Sequence, residues 1–178
     1  MPAFGCGSFF RNWLRNEDGT AAVESALVFP ILLMLLLGTF DMGNGILSNQ
    51  KVIRASQVTG DLVTRERTVT SSSLEEAIDG GELAMQPMPT GSYGVDIVSV
   101  SFDDDGDPSI VWRETRNMPA TPDILDRVAS LAVPNEGVMV VVVDYTFRPL
   151  FSGFVIGDIS MQEIAFTRGR KSAVVTRT

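Results

Sequence analysis

The sequence predicts an α+β fold: a long N-terminal helix, apolar enough to cross a membrane, followed by a small domain built on an antiparallel sheet. Three observations carry this. Ala21–Phe40 form one apolar block. Beyond it, β-branched segments of strand length alternate with Gly, Pro and Asp clusters. Two short stretches between those segments carry helix-start chemistry and helical spacing.

The block from Ala21 to Phe40 matches the roughly 20 residues needed to cross about 30 Å of hydrocarbon at 1.5 Å per residue. A cleaved signal peptide is the competing reading. It would need a small-x-small site after the block, and Gly38-Thr39-Phe40-Asp41 is a poor one. Pro30, inside the block, removes one helical hydrogen bond and is tolerated in membrane helices. Arg11 and Arg15 precede the block, which by the positive-inside rule leaves residues 1–19 as a cytoplasmic leader and exports the rest. Glu24 needs an explanation. A carboxylate near hydrocarbon is costly, so it either stays wet at the headgroups or has a partner.

Past Phe40 the helical pattern continues to about Arg67, with Ile46, Ile53, Val58 and Leu62 as its expected apolar face. Residues 20–67 are thus read as the span and its extension, and 68–178 as an extracytoplasmic α+β domain. Ser71–Ser73 followed by Leu74-Glu75-Glu76-Ala77-Ile78 predicts a short capped helix ended by Gly80-Gly81. Tyr93–Phe102 predicts a strand facing its core with Val95, Ile97 and either Val98 or Val100, and Ser109–Glu114 its hairpin partner. Between them, Asp103-Asp104-Asp105-Gly106-Asp107 superficially resembles a calcium loop. Its ligand spacing and glycine position do not fit an EF-hand, and Asp-Gly is hairpin-turn chemistry. Thr121-Pro122-Asp123 predicts a second helix with Thr121 as N-cap, burying Ile124, Leu125, Val128 and Leu131 and ending at Pro134-Asn135. Gly137–Phe147 is almost continuously apolar, as a central strand is. Ile159–Thr167 is read as the last strand, with Arg168, Arg170 and Lys171 in a basic tail.

Composition narrows function. The 178 residues contain no histidine, so Ser-His-Asp and Cys-His chemistry are excluded. The formal net charge of −8 disfavours nucleic acid as a partner. Cys6 is the only cysteine, which excludes an intramolecular disulfide; it is read as an incidental thiol rather than a lipid site. Trp13, Trp112, Tyr93 and Tyr145 are read as anchor or core rather than a binding cage. No cofactor or metal is called for and no enzyme is expected. The enzymatic alternative, a tethered hydrolase using paired carboxylates, would show as a pocket lined by two close carboxylates.

Gly19-Thr20-Ala21-Ala22-Val23-Glu24, a glycine followed by four residues and then a glutamate, abutting an apolar helix, resembles the cleavage site of type IV prepilins. The resemblance implies a membrane peptidase that cuts after Gly19, so that Thr20 becomes the first residue and Glu24 the fifth. The wider stretch over residues 18–45 resembles the TadE-like family: glycine, small residues, Val-Glu, Ala-Leu, an apolar residue and proline, a leucine-rich run, then glycine. Ser25 departs from the aromatic that Flp pilins carry after the glutamate. Ala55–Val63 and the Val143–Leu150 segment also resemble that family. Membership implies a pilin-like architecture and a minor pilin, pseudopilin or assembly component of a tight-adherence (Flp-type) pilus in the bacterial inner membrane. Its implied partners are membrane lipid, other pilus subunits and platform proteins, and a prepilin peptidase. The alternative is a membrane-anchored envelope protein that presents an interaction domain and has no link to pili.

Overall fold

The structure is a computed structural model that describes residues 18–178, apart from the side chains of Asp18, Phe154 and Val155. Cys6, Arg11, Trp13 and Arg15, and with them all of the expected 1–19 leader except Asp18 and Gly19, lie outside the described residues. The fold is α+β. A helix α1 (Asp18–Val63) leads into β1 (Thr68–Val69), α2 (Ser71–Ala84), β2 (Gly94–Phe102) and β3 (Pro108–Arg116). There follow α3 (Ile124–Val128), β4 (Gly137–Phe147), α4 (Gly153–Ile156), β5 (Ile159–Thr167) and β6 (Thr176–Arg177). Four strands form one antiparallel sheet in the order β3-β2-β4-β5. Thr68 and Val69 pair in parallel with Thr176 and Arg177 in a second, two-stranded sheet.

The sheet is covered on both sides, which explains the unbroken apolar run of β4. Val141, Val143, Tyr145 and Phe147 join Val95, Ile97 and Trp112 beneath α1 and α2. Val138, Val140 and Val142 join Val98, Val100 and Phe102 beneath Ile124 and Val128. Val98 and Val100 thus share a face opposite to Val95 and Ile97, so neither completes the predicted alternation. The position that does is Ser99, whose hydroxyl donates to the Val175 carbonyl (2.8 Å) together with the Trp112 indole N–H (2.8 Å). The chain after β5 is therefore folded onto the domain rather than being a free basic tail. Arg168 pairs with Glu136 and Arg170 with Asp61.

The extension of α1 lies on the sheet through a face the sequence pattern did not mark. Its buried residues are Ser48, Val52, Ala55, Ser56, Thr59, Gly60 and Val63, at helical spacing. Ile46, expected inside, is 57% exposed, and Ile53, Val58 and Leu62 are only half-buried. Small residues let the helix approach closely. The helix ends at Val63 rather than Arg67 because the Arg170 N–H caps the Thr64 carbonyl (3.2 Å) and Arg65 turns back to Leu62 (3.3 Å).

Two helix predictions need correcting. The helix α2 is capped by Thr70, whose side chain accepts from the Ser73 N–H, and it runs through Gly80-Gly81 to Ala84. The two glycines mark a close crossing with α1. A Cβ at Gly81 would lie 2.5 Å from the Tyr93 hydroxyl and overlap the Thr59 hydroxyl. Burial pushes the Tyr93 phenol up to about 12, although the adjacent Thr59 hydroxyl pulls the other way. Thr121 does not cap α3. Its N–H donates to the buried Asp96 carboxylate (2.8 Å) and its carbonyl accepts from Arg113 (2.8 Å), so the helix starts later, after Asp123. Arg113 also donates through Nε to Asp96 (2.9 Å), which ties the loop before α3 to the sheet.

Candidate functional site

The first half of α1 stands clear of the domain. From Gly19 to Leu36 every residue is exposed, and the segment is long and apolar enough to cross a membrane. Leu27 and Leu36 are 69% and 66% exposed, with leucine, isoleucine or phenylalanine pointing outward on all sides. A helix that is exposed and apolar on every side from Ala26 to Leu36 needs an apolar surrounding. Ala21, Pro30 and Phe40 all fall within this helix, which continues through Pro30 without a break.

Gly19, Thr20 and Glu24 lie on the first two turns of the same helix. A Cβ at Gly19 would meet nothing within 4 Å. Thr20 and Glu24 are four residues apart and share a helix face, with Glu24 exposed. The structure brings these three residues together and places them at the far end of the helix from the sheet.

At the other end of the apolar block sits a second acidic residue. Asp41 immediately follows Phe40 and is buried, 2% exposed. Its carboxylate accepts the N–H groups of Leu150 (3.0 Å), Phe151 (2.8 Å) and Ser152 (2.6 Å), and the Ser152 hydroxyl (2.8 Å). Beside it, the Phe40 and Phe151 rings meet edge to face at 5.7 Å. A cleft of about 490 Å³ opens here, lined by Phe40, Asn44, Met88, Tyr145, Phe147 and Leu150, with Asp41 as the one carboxylate on its wall. Only helical phase could have flagged Asp41: it lies seven residues before Ser48 on the buried stripe.

The acidic loop is a hairpin turn, as its Asp-Gly predicts. Asp103 N–H donates to the Asp107 carbonyl (3.2 Å), and Gly106 takes φ +87°. The Asp103 carboxylate is occupied by the N–H groups of Asp105 (3.0 Å) and Asp107 (2.8 Å). Among the described residues, no group of three or more acidic, Cys or His side chains is arranged to hold a metal. Trp112, Tyr93 and Tyr145 are core residues.

Residues 19–60 match the family model described as TadE-like protein. The match takes in the exposed apolar helix and most of the stripe that docks on the sheet, and it ends before the sheet begins. No curated protein and no solved structure matches the chain.

Proposed function

We propose that this chain, whose residues 19–60 are TadE-like, is a non-enzymatic, membrane-anchored minor pilin or pseudopilin that serves assembly of a tight-adherence pilus. The observation that carries the reading is the division of α1. One half is apolar on every face and free of the domain; the other is fixed to the sheet by a stripe of small residues. A rigid helix of this kind carries a membrane segment and an export-side domain as one body. Glu24 lies where it could pair with the terminal amine that cleavage after Gly19 would expose on a neighbouring subunit. In hydrocarbon either charge alone is expensive, so such pairing would set the register of assembly.

The reading is tested in native membranes of the organism. Protease added to intact spheroplasts is expected to digest the domain beyond Asp41. Mild detergent extraction is expected to bring down the pilus platform proteins and other pilus subunits with this chain. A domain that stays protected would overturn the orientation, and extraction of the chain without any pilus component would favour an envelope protein unrelated to pili.

A further inference from the structure

The connection from β4 to β5 lies at the level where α1 enters its apolar block. A Cβ at Gly60 would stand 3.6 Å from Val141 Cγ2, and one at Gly45 would stand 3.5 Å from the Phe147 ring. Between these two points α1 rises about 22 Å and β4 covers about 20 Å. The strand therefore runs down the helix, towards the membrane segment. Residues 148–152 continue a further turn in that direction, where Asp41 collects the N–H groups of Leu150, Phe151 and Ser152 and Phe40 meets Phe151. Within 148–158 the only charged residues are at the ends, Arg148 and Asp158, and they pair with each other at 3.3 Å. Leu150 is 75% exposed and Ile156 59%.

From this geometry we infer that loop 149–157 is a second membrane contact, resting in the interfacial layer of the bilayer beside the point where α1 leaves it, its depth set by the Asp41 clamp. This rests on the reading of α1 as a membrane anchor. The occupant is lipid because the loop's apolar surface is continuous, through Phe151 and Phe40, with the apolar surface of the span itself. The Asp41 hydrogen bonds and the Phe40–Phe151 contact tie the loop to the helix, so wherever the block is immersed the loop is brought to the surface. The arrangement also accounts for a carboxylate one residue past the apolar block: it accepts four hydrogen bonds from protein donors, which offset the penalty of low polarity there. Arg148 and Asp158 then fall at headgroup depth, where charges are tolerated.

The test uses the full chain in a Cys6→Ser background, reconstituted into phosphatidylcholine–phosphatidylglycerol vesicles. The single substitutions Leu150→Cys, Ile156→Cys, Leu35→Cys and Asp105→Cys each carry an environment-sensitive fluorophore. Lipids bearing a nitroxide near the headgroup or deep in the acyl chain act as quenchers. Labels at 150 and 156 are expected to be quenched at least twofold more by the shallow nitroxide than by the deep one. The label at 35 should show the reverse, and that at 105 neither. Quenching at 35 but not at 150 and 156 overturns the loop contact and leaves the anchor standing. Shielding of 150 and 156 from aqueous iodide without lipid quenching also overturns it, assigning the loop to a second copy. No quenching at 35 overturns the anchor itself. Adding Asp41→Ala should at least halve shallow quenching at 156 while leaving 35 unchanged; unchanged quenching at 156 would overturn the clamp.

Discussion

Gly81→Ala separates the packing described above from a rule based on the helix alone. In an exposed helix interior, replacing glycine by alanine stabilises by about 1 kcal/mol. At Gly81 the new methyl would overlap the Thr59 hydroxyl, stand 2.5 Å from the Tyr93 hydroxyl and 3.3 Å from the Ala55 carbonyl. Thr59 is a fully buried β-branched residue, Tyr93 is 2% exposed, and the carbonyl belongs to the backbone of α1, so none of the three can retreat without moving a helix or the sheet. Overpacking of this kind costs about 1–3 kcal/mol, and the constrained surroundings place it at the upper end. The net expectation is a loss of about 1–2 kcal/mol. With a urea m-value of about 2 kcal/mol/M, this lowers the unfolding midpoint by roughly 0.5–1 M. The assay is urea unfolding of the full chain in detergent, followed by Trp112 emission in a Trp13→Phe background. Combining Gly81→Ala with Thr59→Ala and Tyr93→Phe should recover part of the loss, and the recovery beyond additivity measures the contact. A midpoint that rises in Gly81→Ala alone would refute the close crossing of α1 and α2.

Asp96→Ala should cost about 3 kcal/mol, because it strands the Arg113 guanidinium and frees the loop at Thr121; a loss below about 1 kcal/mol in the same unfolding assay would contradict this. Tyr93 should resist ionisation until about pH 12. The fold holds the neutral phenol, so this contribution is complete below the ordinary tyrosine value near 10 and is lost as pH rises towards 12. Ultraviolet phenolate absorbance and unfolding midpoints from pH 9 to 12 check it, and Tyr93→Phe should flatten that decline. Mass spectrometry of the protein from native membranes should find Thr20 as the first residue; an intact Met1 terminus in cells with an active prepilin peptidase would make the chain an unprocessed anchor.

Where burial is written in large apolar side chains, the sequence was readable. The strand β4 has its predicted bounds, Gly137–Phe147, because a run of valines lies between a glycine and Arg148-Pro149. The strand β5 likewise has its predicted bounds, Ile159–Thr167. The buried face of α1 was not legible, since a close helix–sheet contact uses Ser48, Ala55, Ser56, Thr59 and Gly60, which hydropathy does not distinguish from solvent-facing residues. Gly80-Gly81 read as a helix end for the same reason: the tolerance that makes glycine a terminator also makes it the residue for a crossing. Thr121 had the chemistry of an N-cap, but its backbone is committed to Asp96 and Arg113, which lie distant in sequence. The strand β6 is two residues long and pairs with β1 across most of the domain, beyond the reach of any local pattern. At the site, Gly19, Thr20, Glu24 and the block from Ala21 to Phe40 were visible as contiguous sequence. The Asp41 clamp joins segments far apart in the chain and emerged only with the fold.

Whether this helix serves pilus assembly is decided by Glu24→Ala. The substitution removes a costly carboxylate from the membrane segment, so insertion should be unchanged or improved. In cells lacking the native copy, the variant should reach normal amounts in membranes while pili sheared from the surface are lost, with partial recovery by Glu24→Asp, which keeps the charge at shorter reach. Full piliation by Glu24→Ala at normal membrane levels would contradict the pairing and leave Glu24 a solvated carboxylate at the membrane face.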